Sequence, residues 1–333
     1  MERTTVEICA GAGGQALGLE EAGFGMLAAA ELDGKACATL RANRPSWDVR
    51  ECDVRDLDGR EFRGLDLFAG GVPCPPFSIA GKQLGTKDER DLFPEALRLI
   101  RESKPAAVML ENVRGFATER FASYREKLRR ELREAGLESD WRVLQASDFG
   151  VPQLRPRFIL VAMKPKLFRS FEWPAGGVEP PTVGKAVGAL MSARRWPGAA
   201  AWRKRADGIA PTLVGGSKKH GGPDLGPTRA KRQWAELGVD GMGIADQAPG
   251  PDFPVSARPR LTVRMAARLQ GFPDEWQFIG GKTAAYRQVG NAFPPPVAQA
   301  VAESIMRAFN GMPARVTSRQ ERIELEPIYA EEA

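Results

Sequence analysis

The chain has 333 residues, enough for one large domain with a smaller companion or for two of ordinary size. Hydrophobic residues at 43 % and charged residues at 27 % exclude bulk disorder; four cysteines without a C-x-x-C spacing and one histidine, His220, exclude a disulfide framework, a Cys/His zinc site and catalysis by paired histidines. The formal net charge of +6 is modest, so where the charge sits says more than its sum.

No apolar run approaches the roughly 18–20 residues of a membrane span, and the polar start Met1–Thr5 does not read as a signal peptide. A cytoplasmic protein is expected. Short apolar runs alternate with amphipathic stretches over the first 165 residues, the pattern of a parallel sheet with crossover helices. The expected strands are Thr5–Ile8, Met26–Glu31, Leu65–Ala69, Ala106–Leu110, Trp141–Gln145 and Phe158–Met163. The expected helices are Ala16–Ala22, Lys35–Asn43, Pro94–Ser103 and Thr118–Ala135, the last with Phe121, Leu128, Leu132 and Ala135 on one face and Gly136 at its stop. From about Lys164 to Pro259 the pattern lapses into basic sequence rich in proline and glycine, read as a loop-rich second lobe. Helical periodicity returns at Thr262–Leu269 and Pro296–Phe309, and an acidic tail follows from about Arg319.

The positive charge concentrates in that lapse. Between Arg194 and Arg232 stand ten Lys/Arg against Asp207 and Asp224, a local net charge of +8, with Trp196, Trp202 and His220 interleaved. Such a stretch suits a polyanion, because Lys and Arg displace counterions condensed on phosphates; the alternative is a solvated basic surface.

Two ends of the first lobe carry chemistry. Strand Thr5–Ile8 runs into Cys9-Ala10-Gly11-Ala12-Gly13-Gly14, a glycine-rich turn that lets backbone approach a ligand at a helix N-terminus. Glu31 ends the second strand about 20 residues on, where a carboxylate takes both ribose hydroxyls, and Asp53 is placed to take an adenine amino hydrogen. This reads as an adenosine pocket and fits a dinucleotide as well as S-adenosylmethionine. A turn serving only helix–strand packing is the structural alternative. At the other end, three prolines around Cys74 hold it on a stiff loop after a strand, where open α/β sheets bind ligands. Cys9, Cys37 and Cys52 read as small buried hydrophobes. Strand Ala106–Leu110 delivers Glu111 and Asn112 to the same edge, and Gln153-Leu154-Arg155-Pro156-Arg157 adds two arginines that alternation points the same way.

With these residues assembled, the sequence resembles the cytosine-C5 DNA methyltransferase family over nearly its whole length. The motifs stand in the family's unpermuted order: Ala10–Gly14, Glu31, Asp53, Pro73-Cys74, Glu111-Asn112-Val113, Gln153-x-Arg155-x-Arg157, Arg260-Leu261-Thr262 with Leu269–Pro273, and Gln288–Pro295. The resemblance implies a Rossmann-like S-adenosylmethionine-dependent α/β domain (1–167) and a smaller loop-rich target-recognition domain (168–273). A return segment (274–318) and a tail (319–333) would follow. It implies S-adenosyl-L-methionine, without metal, on Cys9, Ala10, Gly11, Gly13, Glu31, Leu32, Asp53, Val54, Gly71, Pro73, Leu92, Asn291 and Ala292. Cys74 would add at cytosine C6, Glu111 would stabilise charge at N3, Arg157 would hold the O2 side and Arg155 would support the loop. The stretch Phe77–Phe93 resembles the family's mobile catalytic loop. Duplex DNA would be touched by Ser78, Lys82, Gln83, Asn112, Gln153, Thr212, Leu213, Thr262 and Arg264, with the target base flipped out.

Four departures from the family stand out: Cys9 and Leu32 where aromatic residues are common, Pro75 after Cys74 in place of glutamine, and Met265 in place of glutamate. A transfer-RNA substrate and a non-catalytic DNA-binding relative are the competing readings; a dehydrogenase accounts for the first 60 residues and for nothing after Pro73. The expected setting is a monomeric prokaryotic modification enzyme, with a cognate restriction endonuclease as a possible partner.

Overall fold

The computed structural model describes residues 2–73, 91–216 and 224–311. Its first lobe runs β1 (Arg3–Ile8), α1 (Gly14–Glu21), β2 (Phe24–Glu31), α2 (Gly34–Asn43), β3 (Val49–Glu51), β4 (Leu67–Gly70), α3 (Phe93–Ser103), β5 (Ala107–Val113), α4 (Ala122–Glu134), β6 (Glu138–Gln145), β7 (Gln153–Leu154) and β8 (Pro156–Met163). Seven of these strands form one sheet in the order β3-β2-β1-β4-β5-β8-β6. The strands from β3 to β5 are parallel, as the alternation of strand and helix requires. The expectation of an all-parallel sheet fails at the far edge, where β8 runs antiparallel to both β5 and β6. Residues 146–155 between β6 and β8 are too few for a crossover helix, so the chain turns back on itself.

Both faces of the sheet are covered. One face sets Val6, Ile8, Phe68, Val108, Leu110, Phe158 and Leu160 against α3 and α4. The other sets Leu67, Ala69, Met109, Ile159 and Val161 against α1 and the last helix. Local chemistry sets the helix ends: the Asp33 carboxylate accepts from the backbone N–H of Lys35 and Ala36 to start α2, and Gly136, at φ 81°, follows α4. The expected helix Thr118–Ala135 begins only at Ala122, because Thr118 is extended between two short 3-10 turns.

The second lobe differs from the loop-rich expectation. It contains α5 (Pro165–Phe168), α6 (Val183–Ser192), α7 (Ala199–Arg205), β9 (Ala210–Pro211), α8 (Thr228–Glu236) and α9 (Val263–Leu269), and the chain then continues through α10 (Lys282–Asn291) and α11 (Pro295–Phe309). Trp196, Trp202 and Trp234 are buried in its core. Trp202 donates its indole N–H to Gly238 O at 3.0 Å and Trp196 donates to Phe253 O at 3.0 Å. The tryptophans in the basic stretch are therefore core residues. Trp276 donates to Ala12 O at 3.1 Å, and α11 packs on α1, bringing the C-terminal helices onto the first lobe. No helix among the described residues is long and apolar enough to cross a membrane.

Candidate active site

A cavity of about 780 Å³ opens at the carboxyl ends of β1, β2, β4 and β5. That is room for a nucleoside bearing an amino-acid arm. Its first wall is the turn after β1. Cys9 and Gly11 both take positive φ, 52° and 55°, and nothing lies within 4 Å of where a Cβ on Gly11 would point. The backbone N–H of Gly11 donates to Glu31 Oε2 and that of Asp33 donates to Glu31 Oε1, each at 2.8 Å. The carboxylate is thereby held flat at the end of β2 with lone pairs left for a diol. Asp53 and Val54 lie further along, Asp53 lowered below its ordinary carboxylate value by the backbone N–H and side chain of Arg55. Ala10, Leu32, Gly71, Pro73, Leu92, Asn291 and Ala292 also line the cavity, Leu32 with 68 % of its surface exposed.

Gly13 is not among the residues that line the cavity; a Cβ there would sit 2.7 Å from Leu40 Cδ2 and 2.9 Å from Trp276 Cζ2. Gly14 lines the cavity in its place and cannot be enlarged, since a Cβ would meet Phe293 O at 2.2 Å. Cys9 stands at the wall, its thiol pushed up to about 12 by burial and by Glu31, Glu7 and Asp53, so it is no nucleophile at neutral pH.

The chemical rim is built by β5 and β8. Antiparallel pairing sets Val113 opposite Arg157, so Arg157 reaches Glu111, and Nε meets Oε1 at 2.8 Å with the side chains only 11 % and 12 % exposed. Burial pushes the Glu111 carboxyl up against the opposing pull of Arg157 and Arg155. Glu111 lines the same cavity as Glu31, which puts an acid able to hold a proton beside the adenosine-type pocket.

Arg155 does not reach that cavity. It is fully buried and donates to Leu213 O at 2.7 Å, Gly290 O at 2.8 Å and Ala292 O at 2.9 Å, tying three segments together. Arg155 stands between β7 and β8, still near enough to Glu111 to act on its carboxyl, but its guanidinium is taken up by backbone carbonyls. Asn112, expected on DNA, is buried and donates to Val72 O at 2.7 Å, fixing the backbone just before Pro73. Gln153 and Leu213, expected on DNA as well, are fully buried: Leu213 N donates to Gln153 Oε1 at 2.8 Å, and Gln153 donates to Leu269 O and Gln270 Oε1. Thr212 donates to Leu154 O at 2.5 Å across the β7–β9 pair. Thr262 caps α9, and Met265 completes the box with its sulfur, which accepts from Thr262 N at 3.4 Å. Arg264 lies at the surface, 3.3 Å from Asp274. Cys74, Ser78, Lys82 and Gln83 lie outside the described residues, as do Pro75 and His220.

Glu7 and Gln15 also line the cavity, and sequence reasoning passed over both. The signal was present for Glu7, a lone acid inside the buried strand Thr4-Thr5-Val6-Glu7-Ile8. For Gln15 no sequence signal distinguished it from an ordinary helical residue.

A family described as C-5 cytosine-specific DNA methylase matches residues 3–307. The chain is 58 % identical over 309 residues to Type II methyltransferase M.NaeI of Lentzea aerocolonigenes, covering 92 % of this chain and 75 % of that relative. It is 52 % identical over 312 residues to Type II methyltransferase M.NgoMIV of Neisseria gonorrhoeae, covering 92 % and 98 %. Among solved structures, DNMT2 of Spodoptera frugiperda superposes with a TM-score of 0.66 at 17 % identity, over 91 % of this chain and 99 % of that one, a likeness of fold.

Proposed function

Because the chain belongs to the C-5 cytosine-specific DNA methylase family, we propose that its cavity holds S-adenosyl-L-methionine and that the Glu111 rim receives a cytosine turned out of duplex DNA. The reaction is DNA cytosine-C5 methylation, of the restriction-modification type. One observation carries the site assignment: Glu111, paired with Arg157, lines the same cavity as the Glu31 carboxylate organised by Gly11 and Asp33.

The residues fit the cofactor. Glu31 offers acceptors for the ribose diol, Asp53 and Val54 flank the adenine end, and Asn291 and Ala292 close the opposite end. When bound, the cofactor supplies an electrophilic methyl group. The chain supplies the rest. Cytosine C5 is too electron-poor to attack unaided, so the Cys74 thiolate adds at C6 and turns the ring into an enamine. Glu111 shares its proton with N3 as charge builds on the ring, and its raised proton affinity matches that task. Arg157 orients Glu111 and faces the O2 side of the base. Once C5 carries the methyl group, a water molecule takes the C5 proton, the electron pair re-forms the C5–C6 double bond, and the C6–S bond breaks to free Cys74 as thiolate. Asn112 serves as a positioning residue for the strand end that leads to Cys74, and Arg155 holds the recognition lobe to the cofactor wall. Residues 168–273 form the target-recognition region in this reading, acting as a monomer in the cytoplasm alongside a cognate endonuclease.

Expression in a host without cytosine methylation, followed by bisulfite sequencing, tests the assignment. Protected cytosines in one short motif are expected, and a Cys74→Ser control should abolish them. Complete conversion of the genome with soluble protein present would overturn it. Methyl incorporation into transfer RNA instead would move the substrate to RNA.

A further inference from the structure

The adenine end of the cavity is built on chain that has little secondary structure of its own. β3 is three residues long, stands at the edge of the sheet and pairs only with β2. After it, Asp53 starts a single 3-10 turn, Val54–Asp56, by accepting from Arg55 N at 3.0 Å. Asp53, Val54 and Arg55 all line the cavity. A turn this short leaves backbone carbonyls without ladder partners, and they need donors from elsewhere.

One side chain on another element supplies them. Arg98 of α3 donates through Nη2 to Val54 O at 3.2 Å and Arg55 O at 3.3 Å, and through Nη1 to Leu57 O at 3.0 Å. Two acids of the same helix fix the guanidinium: Glu95 Oε2 accepts from Nε at 2.8 Å and Glu102 Oε2 from Nη1 at 2.9 Å. Glu102 also accepts from Gly59 N at 2.9 Å, and a Cβ on Gly59 would lie 2.9 Å from Leu99 O, so the chain beyond the turn runs tight against α3. The helix is a firm base, with Phe93, Ala96, Leu97 and Ile100 buried in the core of the first lobe.

We propose that Arg98 is a positioning residue for the adenine end of the cavity, holding the carbonyls of the Val54–Asp56 turn so that Asp53 presents its carboxylate to the adenine amine. This role rests on the cofactor assignment above. A surface arginine kept only for charge would pair with Glu95 and Glu102 and leave the three carbonyls to water. Arg98 does not line the cavity itself and acts through the turn. Glu31, at the ribose end, is held separately by Gly11 N and Asp33 N, so loss of Arg98 spares it. The signature of Arg98 is therefore selectivity for the base.

Calorimetric titration with S-adenosylhomocysteine and with S-inosylhomocysteine, which carries a carbonyl in place of the adenine amine, reads that selectivity directly. The wild type should prefer S-adenosylhomocysteine by about ten-fold or more, the worth of one hydrogen bond to a charged acceptor. Arg98→Met should bring the ratio to about two-fold or less, chiefly by weakening S-adenosylhomocysteine. Arg98→Lys, which keeps the charge but lacks the planar fork that spans several carbonyls, should fall between, and it decides the question if Arg98→Met does not fold. A ratio unchanged from wild type would overturn the inference even if both ligands bind more weakly, since an equal loss is damage to the fold. Equal wild-type affinity for the two ligands would overturn it too, because the amine would then not be read. If the wild type binds neither, the cofactor assignment itself falls, and this role with it.

Discussion

Glu111 and Arg157 are opposed charges held out of water, and neither is left ordinary by the arrangement: burial raises the acid and pulls down the base. Glu111→Gln keeps the shape, removes the exchangeable proton and leaves Arg157 facing a neutral amide. Methyl transfer should fall by about 10²–10⁴-fold while S-adenosylhomocysteine binding is retained, a split read from tritium incorporation against calorimetry. Glu7 carries a stability signature as well. Its folded value lies above its unfolded value, so its contribution is present at low pH and is lost as pH rises from the ordinary carboxylate range through the raised one. Thermal melts of the ligand-free protein should therefore show wild type losing ground to Glu7→Gln as pH rises from about 5 to about 8. An unchanged difference across that range would mean Glu7 is ionised throughout. At this scale Glu31, Asp53 and Glu111, picked out as acids at or after strand ends, line one cavity, and Arg157 pairs with Glu111. Arg155 and Gln153 were misplaced because a polar residue beside a motif reads the same whether it faces a ligand or ties two backbones together.

Among the elements, α1 packs closely on α11, and glycine permits it. A Cβ on Gly18 would lie 2.5 Å from Pro295 O and 2.6 Å from Ala298 Cβ. Gly18→Ala should cost about 1–3 kcal/mol by forcing the two helices apart, visible as a lowered melting temperature. Because α11 also carries Val297 and Val301 against the sheet, the same variant should loosen the Asn291–Phe293 wall and weaken binding in the proposed cofactor cavity. Helix boundaries in the first lobe came within a few residues of expectation where a cap marked them, as Asp33 does for α2. The short β3, β7 and β9 carried too few residues for any period to show.

At the scale of the whole molecule, the two lobes are tied by Arg155 and by a shared apolar core. Arg155 bonds Leu213 of the second lobe and Gly290 and Ala292 of the cofactor wall, and Gly215 packs so tightly on α10 that a Cβ there would meet Arg287 O at 2.5 Å. Arg155→Met removes the donor from the buried carbonyls of Leu213 and Gly290 and one of two donors, the other being Gln270, from that of Ala292, and should cost about 3 kcal/mol in urea unfolding. Affinities for duplex DNA and for S-adenosylhomocysteine should fall together, because the lost ties hold both binding walls. Loss of one affinity alone would show that the lobes act independently.

The sequence by itself determined the family's motif order, the α/β alternation, and the acids Glu31, Asp53 and Glu111 that line one cavity. Each is a local pattern: a residue type at a strand end, a glycine-rich turn, a period of apolar side chains. Only the tertiary structure decided that β8 runs antiparallel, that the tryptophans of the basic stretch form a core, that Gly13 packs while Gly14 lines the cavity, and that Arg155 is a tie between lobes. The physical reason is common to all four. Each depends on which distant backbone or side chain fills the space beside the residue, and that neighbour is set by chain length between elements and by packing, which no local period encodes.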